Sequence, residues 1–239
     1  MNRVEENIIR LKEDVSRICQ KLGRDSAEVT IVAVTKLASR ELIQQALDVG
    51  ITHIGENKVQ EALKKYQDLK GSSISLKRHM IGHLQTNKVK QSLKIFDLLQ
   101  SVDSLRLAQE LEQQLQVLNR KIDILIQVNT SGEKQKFGVA KSQALRFIQE
   151  VSPLKNLKVV GLMTMAPLTE DAKILGQCFR DLRELNNKVQ RTFEGSPNIH
   201  MKFLSMGMSG DYRIAIQEGS NMIRIGSAIF STQHGGTNA

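Results

Sequence analysis

The sequence predicts a single parallel α/β barrel, (β/α)8, with one extra helix ahead of its first strand. Three observations carry this. Strand-like and helix-like segments alternate along the chain, with eight strands in all. Strands such as IDILIQV (122–128) and LKVVGLM (157–163) are apolar on both faces, as buried parallel strands are. Polar residues collect at one end of nearly every strand, and this barrel builds its sites at strand C-terminal ends. An open doubly wound sheet is the alternative, but eight is the number of strands that closes a barrel.

The elements follow in order. Val4, Ile8, Leu11, Val15, Ile18 and Leu22 recur at spacings of three and four, so the first 23 residues read as an amphipathic helix closed by Gly23. Strands are expected at Thr30–Lys36, His53–Asn57, His79–Leu84, Leu98–Val102, Ile122–Asn129, Leu157–Met165, Lys202–Met206 and Met222–Phe230. Helical patterns lie near 39–49, 56–69, 86–95, 103–119, 141–151, 169–193 and 209–218. The leucine stripe of 103–119 reads as core packing. Pro153, Pro167 and Pro197 all fall outside element interiors, where proline is tolerated. No linker or composition break interrupts the chain, so residues 1–239 are expected to form one domain.

The formal charge is +9 at neutral pH, which favours anionic partners. Nucleic acid is not expected. The basic residues are scattered among acids without a recognition motif, and aromatics are only 4% with no Trp, too few for a stacking platform. No signal peptide or membrane-spanning run is visible. Cys19 and Cys178 lack metal-ligand spacing and are expected to be reduced thiols in a cytoplasmic protein. His53, His79, His200 and His234 read as ordinary strand-end or surface residues.

The strand ends carry the chemistry. The first strand delivers Lys36 and the second Glu56 and Asn57. The third delivers His83, Gln85 and Asn87, the fourth Ser101 and Asp103, and the fifth Asn129, Thr130 and Ser131. The last two strands end in SMGMSGD (205–211) and RIGSAIF (224–230), small-residue loops where this fold usually binds phosphate. Taken singly, each loop is also compatible with a plain tight turn. In a closed barrel the first strand adjoins the eighth, which sets Lys36 beside that cradle. A lysine there suggests a Schiff base with a phosphorylated aldehyde, either pyridoxal 5'-phosphate (PLP) or the sugar phosphate of a lysine-imine aldolase. The GEKQKFG loop (132–138) either closes over the site or is a solvated turn.

Seven segments carry a family resemblance: VAVTK (32–36), IGENKVQE (54–61), HMIGHLQTNK (79–88), SVDS (101–104), QVNTSGEKQKFG (127–138), GLMTM (161–165) and LSMGMSGDYRIAIQEGSNMIRIGSAIF (204–230). The sequence resembles the PLP homeostasis proteins over essentially its whole length. Their fold is like the N-terminal TIM barrel of alanine racemase. The resemblance implies that Lys36 carries PLP as an internal aldimine. It implies that Ser205, the backbone at Met206 and Gly207, and Gly226 with Ser227 bind the phosphate. It places Arg224 at the pyridine nitrogen, Asn57 and His83 along the ring, and Met163 close to the cofactor. Strand alternation adds that Met222, Arg224 and Gly226 share one face while Ile223 and Ile225 share the other. An arginine at the ring nitrogen disfavours ring protonation and so makes the ring a poorer electron sink.

Three functions are compatible with these residues: a PLP carrier without turnover of its own, an amino-acid racemase, or a basic regulator with an incidental cofactor. Racemisation needs an acid/base group on each face of the substrate. The related racemases bring a tyrosine from a second domain that is not expected here, and Tyr212, just after the phosphate loop, is the local candidate. The family resemblance favours the carrier, which holds PLP and hands it to PLP-dependent apo-enzymes; a monomer is expected because the second domain that carries the relatives' dimer contacts is not expected here.

Overall fold

The computed structural model describes residues 2–66, 69, 76–133 and 135–231. Helix α1 (Arg3–Lys21) starts from a capping box in which Asn2 and Glu5 satisfy each other's backbone N–H groups. Its stripe of Val4, Ile8, Leu11, Val15 and Cys19 is buried. The chain then alternates as β1 (Thr30–Val34), α2 (Arg40–Asp48), β2 (His53–Glu56), α3 (Val59–Tyr66), β3 (Lys77–Met80), α4 (Val89–Ser92), β4 (Leu98–Val102), α5 (Leu105–Val117) and β5 (Ile122–Asn129). It continues as β6 (Val139–Ala140), α6 (Ala144–Val151), β7 (Leu157–Met163), α7 (Ala172–Thr192), β8 (Ile199–Ser205), α8 (Tyr212–Gln217), β9 (Met222–Ile225) and α9 (Ser227–Phe230).

Eight strands close a parallel barrel. Their order runs β4-β3-β2-β1-β9-β8-β7-β5, and β4 pairs with β5 to shut it. Strand β6 is a two-residue addition that pairs with the end of β5 at Val128 and Asn129. The extra helix α1 packs on α2, α8 and α9, beside the seam where β9 meets β1. Its Asn7 amide donates to the Ile229 carbonyl.

Two apolar layers result. The larger lies between strands and helices and takes Ile54, Ile223 and Ile225, with Leu107, Leu111 and Leu115 from α5. The smaller fills the barrel interior with Val32, Leu98, Leu125, Val160, Met163 and Met222. Interior and exterior alternate along each strand. Thus Met222 and Arg224 point inward while Ile223 and Ile225 face the helices.

Several boundaries differ from expectation. Strand β1 stops at Val34, so Lys36 stands in a turn two residues beyond it. The last strand stops at Ile225, whose pairing with Ala33 is the last between β9 and β1, and Ser227–Phe230 becomes a helical turn. The run 86–95 splits into a 3-10 turn and one short helix. Residues 67–68 of the expected third helix lie outside the described residues. Among the described residues, no helix is long and apolar enough to cross a membrane.

Candidate functional site

The turns that follow the strands converge at the C-terminal end of the barrel. Lys36 is exposed on the β1–α2 turn. It lines two neighbouring cavities. One, of about 460 Å³, is bounded by Asn57, Gly82, His83 and Gln85. The other, of about 490 Å³, is bounded by Val34, Gly226 and Ser227. The chain therefore brings Lys36 together with Asn57 and His83 on one side and with Gly226 and Ser227 on the other. A larger cleft of about 750 Å³ lies between the end of α7 and the start of β8, at the opposite end of the barrel, where no strand end delivers chemistry. Among the described residues, the Lys36 amine meets neither an acceptor nor a carboxylate.

Gly207 shapes the loop after β8. Its φ is +99°, and a Cβ there would fall 2.6 Å from the Ala215 Cβ. A glycine is therefore required where the backbone turns toward the mouth. The Ser209 hydroxyl accepts from the Ala228 N–H at 3.3 Å and ties this loop to α9. Met206 is fully buried in the layer beneath the helices, so only its backbone faces the loop chemistry.

Arg224 lies under the mouth, 4% exposed. Its Nη1 donates to Ser205 Oγ at 2.7 Å and its Nη2 to the Thr164 carbonyl at 2.7 Å. Among the described residues, its Nε meets no acceptor. Burial pulls the guanidinium down to about 10, with Asp211 opposing, so it stays cationic at neutral pH. A buried cation with a spare donor fits a ligand that brings an acceptor to the barrel mouth. Met163 is buried in the interior cluster beside it. Ser205 is also fully buried, and its hydroxyl is committed to Arg224 and Gln100 rather than to the loop.

His83 is stacked by Phe137, with ring centroids 4.1 Å apart and 14° between planes. The Gly138 N–H donates to Asp103 Oδ2 at 3.2 Å, and Gln127 Nε2 donates to the Phe137 carbonyl. The loop after β5 therefore lies against the mouth on the β3–β4 side, and its Lys134 is outside the described residues.

Comparison with known proteins is consistent with this arrangement. The alanine racemase N-terminal domain family matches residues 7–234. A pyridoxal phosphate homeostasis protein of Aquifex aeolicus is 37% identical over 225 residues, 94% of this chain and 96% of the relative. That of Escherichia coli K12 is 32% identical, covering 98% of both chains. The chain belongs to the pyridoxal phosphate homeostasis protein family. Among solved structures, PipY of Synechococcus elongatus with PLP bound shares 30% identity at a TM-score of 0.76, over 91% of this chain and 99% of PipY. A protein of Bifidobacterium adolescentis reaches a TM-score of 0.90 at 30% identity, covering 95% of this chain and 94% of that one. Alanine racemase of Clostridium difficile, 13% identical, shares the barrel fold at a TM-score of 0.75 over 56% of its own length.

Behind the lysine of this family member sits a cluster that sequence reasoning missed. Lys65 Nζ donates to the carbonyls of Thr35 (2.7 Å) and Lys36 (3.0 Å) and pairs with Glu56 Oε2 at 3.2 Å. Glu56 is fully buried, and its Oε1 accepts from the Asn57 N–H. Thr35 Oγ1 donates to Glu56 Oε2 at 2.9 Å and accepts a hydrogen bond from Tyr66 Oη at 2.8 Å. The turn bearing Lys36 and the strand end bearing Asn57 are thus held by one ion pair. Removing Lys65 as Lys65→Met leaves a buried carboxylate without its cation and is expected to cost about 3–5 kcal/mol. Thermal unfolding checks this. Adding Glu56→Gln is expected to recover more than half the loss, and a double variant no more stable than Lys65→Met would remove the pairing argument.

Two expectations are corrected. Tyr212 is not a local acid, because its hydroxyl donates to Asp14 Oδ2 on α1 at 2.6 Å, and burial and that carboxylate push the phenol up. His79 is not a surface residue. It is 1% exposed inside the barrel, where burial pulls its imidazole down to about 3. His79 is thus neutral in the fold and protonates more readily when unfolded. Its contribution is fully present above pH 6.5 and is lost as pH falls toward about 3. At pH 5 the loss is roughly 2 kcal/mol, or about 4–8 °C in Tm. His79→Gln is expected to flatten that part of the Tm–pH curve; an unchanged slope would count against a neutral His79. His53 is half-buried with a depressed imidazole, from burial and then Lys77. His234 lies outside the described residues, and no group of three metal-ligating side chains occurs among the described ones.

Proposed function

We propose that this chain binds PLP covalently through Lys36 and holds it for transfer rather than for turnover. The observation that carries the reading is the free Lys36 amine on the wall shared by two mouth cavities, above a buried arginine with a spare donor. PLP, when bound, supplies an electrophilic aldehyde, a dianionic phosphate and a pyridine ring. Lys36 would hold that aldehyde through its side-chain amine. The backbone at Met206 and Gly207, with Gly226 and Ser227, would hold the phosphate, and the Arg224 cation would complement its charge. Arg224 would meet the ring nitrogen as a donor, and a group that only donates would favour an unprotonated nitrogen there. Asn57 and His83 flank the ring. The buried Ser205 hydroxyl orients Arg224 instead of reaching the phosphate, and Met163 packs below.

Racemase turnover is the second reading, and the geometry disfavours it. Both tyrosine hydroxyls are already engaged, Tyr66 with Thr35 behind the Lys36 turn and Tyr212 with Asp14 on α1, which argues against either as the opposite-face acid. A carrier role in PLP homeostasis, with cytoplasmic apo-enzymes as recipients and a monomeric chain, is the better match. A regulator for which the cofactor is incidental would not need Arg224 buried under the mouth. The test is the visible absorption spectrum of the purified protein with added PLP, before and after borohydride. A yellow band lost on reduction, with the label fixed at Lys36, is the expected result. A colourless protein would overturn the reading and favour a sugar-phosphate imine.

A further inference from the structure

A line of buried polar side chains continues from Arg224 and Ser205 to residues that have no part in the reading above. Starting at Arg224 on β9, Nη1 meets Ser205 Oγ on β8 at 2.7 Å. Ser205 Oγ donates to Gln100 Oε1 on β4 at 2.6 Å, straight across the barrel. Gln100 Nε2 meets His79 Nδ1 on β3 at 2.7 Å, and His79 Nε2 meets His53 Nδ1 on β2 at 2.9 Å. Ser205, Gln100 and His79 are all buried, at 0–1% exposure, whereas His53 opens β2 at the N-terminal end and is only half-buried. The path crosses four strand-to-strand gaps and links the mouth to the opposite end.

Chemistry gives the path a direction. A guanidinium can only donate, so Ser205 Oγ accepts from it and sends its own single proton to Gln100. Gln100 then presents its carbonyl to Ser205 and its NH2 group to His79; the other N–H lies 3.3 Å from Met222 Sδ. His79 Nδ1 must accept, so the neutral ring carries its proton on Nε2 and donates to His53 Nδ1. Every link donates away from Arg224. Reversing one link sets two donors or two acceptors face to face inside an apolar interior, which is costly.

We propose that Gln100, His79 and His53 are positioning residues for Arg224, a one-way hydrogen-bond chain that sets the guanidinium at the cofactor from the far end of the barrel. The inference rests on the assignment of Arg224 to the PLP ring. It adds that the far terminus is a titratable group. A proton on His53 Nδ1 meets the His79 Nε2–H, two donors at 2.9 Å, and the chain must break there or reverse. The groups that bear on His53 are Lys77 and His79 on β3, Asp97 ahead of β4 and Lys202 on β8. Lys77 and Lys202 oppose its protonation and Asp97 favours it. The cofactor environment therefore senses acid at a surface remote from the cofactor.

The test uses the full chain in two states. Without PLP, long-range 1H–15N spectra are expected to show His79 neutral, protonated on Nε2, from pH 5 to 9. A proton on Nδ1, or titration near the usual histidine value, overturns the chain. With PLP added, the visible band is expected to change between pH 7 and pH 5. His53→Gln, which keeps an acceptor that cannot titrate, is expected to abolish that change while keeping the neutral-pH spectrum. His79→Gln keeps an acceptor and a donor at the two ends and is expected to preserve the neutral-pH band, whereas His79→Leu shifts it. Identical spectra and pH profiles in wild type, His53→Gln and His79→Leu overturn the positioning role. Absence of any band in the wild type counts against the PLP assignment instead, and leaves the histidine spectra to decide the chain itself.

Discussion

Lys36→Ala is expected to abolish covalent capture of PLP completely while leaving the barrel folded. The reason is local. The Lys36 side chain is exposed on a turn and carries no hydrogen bond or ion pair among the described residues, so its loss breaks nothing. What holds the turn is its backbone, since the Thr35 and Lys36 carbonyls accept from Lys65. Alanine keeps those carbonyls. The Tm of the apo-protein should move by no more than about 2 °C, as for a surface substitution of up to about 0.5 kcal/mol. After incubation with PLP and borohydride, mass spectrometry of the wild type should show one added cofactor at Lys36 and of the variant none. Residual non-covalent binding through the phosphate cradle is expected to persist and to wash out on dialysis. A variant that is labelled at another lysine to the same extent would sink the assignment of Lys36. Collapse of the fold would show that the side chain has a structural part the geometry does not reveal.

Gly161→Ala should produce the largest loss of stability. Gly161 sits in β7 with φ +152°, at the point where the register with β8 shifts. A Cβ at this position would collide with the Phe203 carbonyl of the neighbouring strand. That oxygen is backbone, fixed in the barrel wall, and cannot rotate away as a side chain would. The strand must move, and with it Met163 and Thr164, whose carbonyl receives Arg224 Nη2. A cost above about 4 kcal/mol is expected, seen as insoluble expression or a Tm lowered by roughly 10 °C or more. If the soluble fraction also takes up PLP poorly, the damage has reached Arg224. A wild-type Tm would show that β7 and β8 separate at this point without cost.

The barrel was legible in the sequence because its signal is local and repeated. Runs such as IDILIQV show a strand apolar on both faces without reference to any other segment, and β4 and β5 begin and end where the pattern does. Lys36 and Gly207 were legible for the same reason. A lysine after a buried strand and a glycine in a strand-to-helix loop are peculiar in their own neighbourhoods. Arg224 was legible in its direction, by counting residues along one strand.

What the sequence by itself determined was therefore the eight strands of the barrel, the strand ends at which polar side chains gather, and the facing of the last strand. Only the tertiary structure decided which of those side chains meet. Gln100 in LLQSV is one polar residue in an apolar strand, and nothing near it announces Ser205, 105 positions away, as its partner. His79 reads as a strand-end residue until β2 and β4 close around it. Lys65 reads as one of many helix lysines until α3 folds back on the turn after β1. In each case the hydrogen bond joins residues on different elements. Barrel closure brings them together, and burial then makes an unpaired polar group too costly to leave.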